Sequence, residues 1–197
     1  MQENRITVYG IANKLLHKLY TQLESSEGRA ILSYIRRSAG KSEGLPMEVL
    51  AFIFENFPEN YLGKGKGLTY EETAVLSALQ LYAIHQQGET RNTHLETEAY
   101  SNLGTSLKAL RSEDSSAADR RFNAMITSDT YDELITHLRY LIKLLKSKSA
   151  LTTVNYAALA RDLFRFQLNE KEREQIRLNW SREYYRIVIG GNEKDEQ

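Results

Sequence analysis

Apolar residues recur at intervals of three and four along almost the whole chain, and that period specifies helix. Val8, Ile11, Leu15, Leu19 and Leu23 mark one helical face. Ile31, Leu32, Tyr34 and Ile35 give residues 29–39 an apolar side, with Arg29 and Arg36 seven apart on the other. Val49, Leu50, Ile53 and Phe57 follow Pro46, which suits a first helical turn. Val75, Ala78, Leu79 and Tyr82 point inward from a helix opened by a Thr69–Glu72 capping box. Leu103, Leu107 and Leu110 mark a short helix, and residues 117–128 another, with Ala118, Phe122 and Met125 inward. Leu134, Leu138, Leu141 and Leu145 follow a cap expected at Asp129. Asn155 caps a helix with Tyr156, Leu159, Leu163 and Phe166 inward. Asn169 with Glu172 opens the last, whose buried stripe is Ile176, Trp180, Tyr184 and Ile187.

The expected fold is therefore all-α, a helical bundle of two packed sub-bundles. Only two prolines interrupt the chain, and Leu/Ala/Glu/Lys/Arg-rich stretches favour helix over strand. Residues 86–102 are polar and lack sustained periodicity, so they read as a long loop between halves spanning 1–98 and 99–189. Residues 190–197 are a charged tail, expected to be disordered. No cysteine is present, which excludes disulfides, thiol catalysis and cysteine–zinc sites. No apolar run approaches a membrane span and no signal pattern opens the chain. The expectation is a cytoplasmic protein without membrane contact. Asn179-Trp180-Ser181 matches a glycosylation sequon only by letter.

The search for reaction chemistry is negative. His17, His85, His94 and His137 form no pair at helical metal-ligand spacing with a carboxylate alongside. His85 continues the face of Val75, Ala78 and Tyr82 and reads as a core histidine. Gly63-Lys64-Gly65-Lys66-Gly67 lacks the spacing and terminal Lys-Ser/Thr of a phosphate-binding loop. Glu71 and Glu72 are explained by helix capping. No nucleophile elbow is present. No catalytic residue, metal ligand or cofactor is expected.

Charge carries more information. The net charge is zero, yet residues 42–98 hold nine acids against three bases, and residues 1–41 hold seven bases against three acids. Residues 99–190 hold fifteen bases against eleven acids. Arg139, Lys143 and Lys146 fall at i, i+4 and i+7, opposite Leu134, Leu138 and Leu145. Arg161 and Arg165 stand in the same way opposite Leu159 and Leu163. Stripes on consecutive helices merge into a patch able to track phosphates without reading bases. Two adjacent arginine pairs, Arg36-Arg37 and Arg120-Arg121, add to the basic surface. Neighbours on a helix point about 100° apart, so one of Arg120 and Arg121 is expected to reach outward and the other to pair with an acid such as Asp119 or lie on another subunit.

Taken in order, these pieces resemble one family. Arg29-Ala30-Ile31-Leu32, Ile35-Arg36-Arg37-Ser38-Ala39-Gly40-Lys41, Leu79-Gln80-Leu81-Tyr82-Ala83-Ile84-His85 and Asn102-Leu103-Gly104-Thr105-Ser106-Leu107 begin the series. Asp119-Arg120-Arg121-Phe122, His137-Leu138-Arg139-Tyr140-Leu141-Ile142, Val154-Asn155-Tyr156, Arg161-Asp162-Leu163 and Trp180-Ser181-Arg182-Glu183-Tyr184-Tyr185 complete it. From residue 27 to 186 the chain is similar to the CasB family, the small subunit of the type I-E CRISPR Cascade complex. Asn155 and Tyr156 stand where that family often has Asp and Trp, and Phe166 where Trp is common.

The resemblance implies a non-catalytic subunit, present as a pair among other Cascade subunits. It would contact guide RNA and target strand and hold the displaced DNA strand. The nucleic-acid-binding residues it points to are first Arg36, Arg37, Arg120, Arg121 and Arg139. Arg29, Lys41, Lys143, Lys146, Arg161, Arg165, Lys171 and Arg173 follow. Two other classes fit the residues, a helical protein–protein adaptor with basic stripes and a helical nuclease with an unrecognised site.

Overall fold

The computed structural model describes residues 7–97, 101–111 and 116–186. Within them the chain forms α1 (Val8–Thr21), α2 (Ser26–Arg37), α3 (Met47–Phe54), α4 (Tyr70–Gln86) and α5 (Leu103–Leu107). There follow α6 (Ser116–Ile126), α7 (Tyr131–Lys148), α8 (Tyr156–Phe166) and α9 (Glu170–Tyr185). No strand is formed among the described residues; the one isolated β-bridge joins His94 to Val154. The all-α expectation holds. The expected tail and Ile187 lie outside the described residues.

Local signals explain most boundaries. Thr69 accepts from Glu72 N while the Glu72 carboxylate accepts from Thr69 N, the reciprocal capping box read in the sequence. Asn155 accepts from Ala158 N, and Asn169 from Glu172 N. The cap expected at Asp129 lies one residue later. Thr130 accepts from Glu133 N, and the Glu133 carboxylate turns back to accept from Asp129 N. A hydroxyl there leaves Glu133 free to close the turn from the other side. Ser25 accepts from Gly28 N and starts α2 three residues before the periodicity suggested.

Helix α4 is the axis of the bundle. Only one face was expected inward, but every residue from Ala74 to Gln86 is buried, because α1, α2, α7 and α8 surround it. The two expected halves meet across core: α8 packs on both α1 and α4. The polar loop after α4 is held by side chains that satisfy its backbone. Gln86 donates to the carbonyls of Glu89 and Arg91 and accepts from Thr93 N. His94 lies between Asn13 on α1 and Val154 before α8. Trp180 is 1% exposed and donates to Asp162 at 2.9 Å. Its backbone carbonyl lies so close to Gly104 that any Cβ there would collide, which fixes how near α5 comes to α9.

Candidate nucleic-acid interface

On α7 the apolar face is broad, comprising Leu134, Ile135, Leu138, Leu141, Ile142 and Leu145. Arg139, Lys143 and Lys146 therefore start at its margin and not at the middle of a solvated face. Arg139 and Lys146 are half-buried, and Lys143 is exposed. The neighbour on that side is the end of α2 with the end of α4. The result is a cleft of about 380 Å³ lined by Arg36, Ala39, Ile84, Gln87, Arg139, Lys143 and Lys146. Four cations from two helices converge there, and among the described residues no carboxylate lines the cleft.

Each cation is seated differently. Lys146 donates to the carbonyls of Ile84, at 3.4 Å, and Gln87, so it neutralises the C-terminal end of α4. Burial lowers its pKa below the usual lysine range; Glu89 opposes this and Arg36 adds to it. Arg36 touches Ser33 Oγ at 3.4 Å and has no ion-pair partner among the described residues. The Arg139 guanidinium lies over Gly40, and its Nε is buried without a hydrogen-bond partner among the described residues. Lys143, exposed, is the fourth cation lining the cleft.

The turn beneath Arg139 is built by a buried side chain. Gln80, 3% exposed, accepts from Gly40 N at 3.2 Å. Its amide donates to Ser38 O at 2.9 Å, Ser38 Oγ at 3.2 Å and Lys41 O at 3.0 Å. Gly40 adopts φ of 83°, in the left-handed region. The periodicity of the sequence gave no sign of this arrangement. The one available signal was Gln80 itself, an amide between Leu79 and Leu81 in the middle of the helix.

The remaining expected residues divide into two groups. Arg37 is exposed with its guanidinium 4.9 Å from the Tyr34 ring centroid, and Lys41 is exposed on the turn beside the cleft. Arg29 is exposed and donates to Glu24 O. Arg120, Arg121 and Lys171 are exposed; Arg121 makes one long contact to Ala117 O at 3.5 Å. Asp119 engages Arg111 at 3.2 Å and accepts from the Tyr184 hydroxyl at 2.8 Å.

Three of the arginines expected to bind nucleic acid face carboxylates. Arg161 pairs with Asp162 at 2.9 Å, Arg165 with Glu172 at 2.6 Å and Arg173 with Glu170 at 3.2 Å. Asp162 follows Arg161 on α8 and Glu170 stands one turn before Arg173 on α9, whereas Glu172 reaches Arg165 from another helix, a placement that periodicity within one helix does not register. The structure thus brings Arg36, Arg139, Lys143 and Lys146 together, sets Arg37 and Lys41 beside them, and leaves Arg120 and Arg121 on the separate surface of α6.

His85 is a core residue as expected. It is 1% exposed, with Nδ1 3.0 Å from the Tyr156 hydroxyl. Burial, then the charges of Arg91 and Lys146, lower its pKa to about 4.

Known structures share this architecture. The chain is similar to CasB from Thermobifida fusca, with a TM-score of 0.71 and 26% identity over 90% of this chain and 97% of that one. CasB from Thermus thermophilus matches with a TM-score of 0.63 and 23% identity over 88% and 97%. A chain of a CRISPR RNA-guided surveillance complex matches with a TM-score of 0.66 and 18% identity over 91% and 94%. No curated protein matches the sequence. The sequence pattern of CRISPR-associated protein Cse2 matches residues 32–185, most of the chain, so the chain belongs to the Cse2 family.

Proposed function

We propose that this protein is a non-catalytic subunit of an RNA-guided DNA surveillance complex, and that it holds nucleic acid by its phosphates in the cleft between α2, α4 and α7. The observation that carries this reading is the convergence of Arg36, Arg139, Lys143 and Lys146 without a lining carboxylate. Membership of the Cse2 family and the structural likeness to a chain of a surveillance complex support it. Its partners are the other subunits of that complex, a second copy of itself, the guide RNA and the two DNA strands.

The physical chemistry suits the role. Guide pairing selects the sequence, and opening a duplex against a guide is nearly balanced in energy. A few phosphate contacts to a displaced or paired strand then decide whether the open state persists. Such contacts need surface Arg and Lys at fixed positions, which a rigid helical frame supplies. Arg37 and Lys41 extend the cationic track beyond the cleft.

The test is charge reversal at Arg36→Glu with Arg139→Glu in the assembled complex. Affinity for matched duplex should fall at least tenfold. The dependence of log affinity on log salt should become shallower by about 2, at about 0.9 for each lost phosphate contact. The ranking of matched over mismatched targets should stay as in the parent. Unchanged affinity, or a change confined to one sequence, rejects the phosphate-contact role of the cleft.

A further inference from the structure

We propose that Gln80 and Gly40 are positioning residues for the interface, acting through Arg139. The inference rests on the reading of the cleft given above and adds residues that touch no nucleic acid. Gln80 reaches from the core of α4 to four groups of the 38–41 turn: Gly40 N, Ser38 O, Ser38 Oγ and Lys41 O. One amide thus uses both its acceptor and its donors to set a turn that follows α2 directly. Ser38, only 2% exposed, adds a hydrogen bond from its hydroxyl to Ile35 O and ties the turn back to the helix.

The shape of that turn decides where Arg139 lies. Its conformation at Gly40 is one that a side chain disfavours, and the space a side chain would fill is occupied by the Arg139 guanidinium. Nη1 and Cζ of Arg139 lie against that glycine, and Nε is buried without a hydrogen-bond partner among the described residues, so the turn holds one edge of the head group and sets the plane it can offer to a phosphate. A guanidinium delivers two donors in one plane, and its value depends on orientation more than an ammonium's does. Without the glycine seat Arg139 keeps its charge but loses its direction. Without Gln80 the turn that forms the seat is not held.

The full chain, with a labelled single-stranded DNA of mixed sequence as probe, distinguishes this from a general structural role. The variants are Gly40→Ala, Gln80→Leu and Arg139→Ala, with each of the first two combined with the third. Arg139→Ala should weaken binding about tenfold, the scale of one charge-assisted contact. Gly40→Ala and Gln80→Leu should each weaken it several-fold in the parent background, and by less than about twofold once Arg139 is already alanine. A role in stability alone would lower Tm equally in both backgrounds without this coupling. Because either turn variant can lower Tm, binding is read at a temperature where circular dichroism shows every variant folded. Equal losses in both backgrounds, or parent-like binding of folded Gly40→Ala and Gln80→Leu, overturn the inference while leaving the cleft as the interface. Parent-like binding of Arg139→Ala overturns both.

Discussion

Trp180 and Asp162 form a pair whose energetic coupling follows from the structure. The indole is 1% exposed and Asp162 5% exposed, so neither has water to fall back on. Trp180 Nε1 donates to Asp162 Oδ2 at 2.9 Å, and Arg161 donates to Oδ1 at 2.9 and 3.1 Å. Trp180→Phe keeps an aromatic ring but removes the donor, leaving one carboxylate oxygen without its buried partner. Hydrogen bonds to charged groups contribute about 1.5–3 kcal/mol, and an abandoned buried partner costs a similar amount. Asp162→Ala strands the indole N–H instead. The two changes together remove both members, so a double-mutant cycle should give a coupling of about 1.5–3 kcal/mol. Trp180→Ala, which also empties the space between α5, α8 and α9, should cost about 3–5 kcal/mol. Urea unfolding followed by far-UV circular dichroism measures all variants on one scale, provided the slopes agree. Trp180 is the only tryptophan, so its emission in the parent reports this site alone and should shift to the red on unfolding. A coupling below about 0.5 kcal/mol, the limit of ordinary additivity, refutes the argument. Parent-like stability of Trp180→Ala with weakened nucleic-acid binding would make Trp180 a base-stacking residue instead of core.

Two further outcomes follow from a buried imidazole and an exposed arginine pair. The folded state holds the His85 pKa down at about 4 against an unfolded value near 6.5, so the unfolded chain takes up a proton first. The stability this represents is whole above pH 6.5 and is lost as pH falls toward 4, up to about 3 kcal/mol at about 1.4 kcal/mol per unit. His94, also held down by burial, acts in the same direction. Thermal melts between pH 7.5 and 4.5 should show the fall, and His85→Asn, which keeps an acceptor toward Tyr156, should flatten it; an equal slope in the variant removes His85 as the cause. On α6, Arg120→Glu with Arg121→Glu should leave Tm at the parent value, because both side chains are exposed, while weakening DNA binding by the assembled complex on every sequence and flattening its salt dependence. Unchanged affinity at two salt concentrations assigns that pair no phosphate contact.

The helices were readable from the chain because each one's signals are local. Thr69, Asn155 and Asn169 cap within three residues of themselves, and Phe122, Leu138 and Trp180 lie on stripes that any bundle must bury. The proposed interface was half readable, for the opposite reason. Arg139, Lys143 and Lys146 are visible as a stripe on one helix, but whether such a stripe meets water, acid or more cation depends on the helix beside it. For α7 that helix is α2, and it presents Arg36. For Arg165 the nearby element is the first turn of α9, which presents Glu172, while Arg173 pairs within α9 with Glu170; both acids favour a helix N-terminus for their own electrostatic reason. Acids recruited to begin α9 thus neutralise the arginines around the α8–α9 corner, while the end of α4, which needs a cation, draws Lys146 into the cleft. Zero net charge therefore describes a molecule in which helix ends help sort the charges: acids gather at the α8–α9 corner, while the cleft between α2 and α7 collects cations, the charge that the proposed phosphate contact requires.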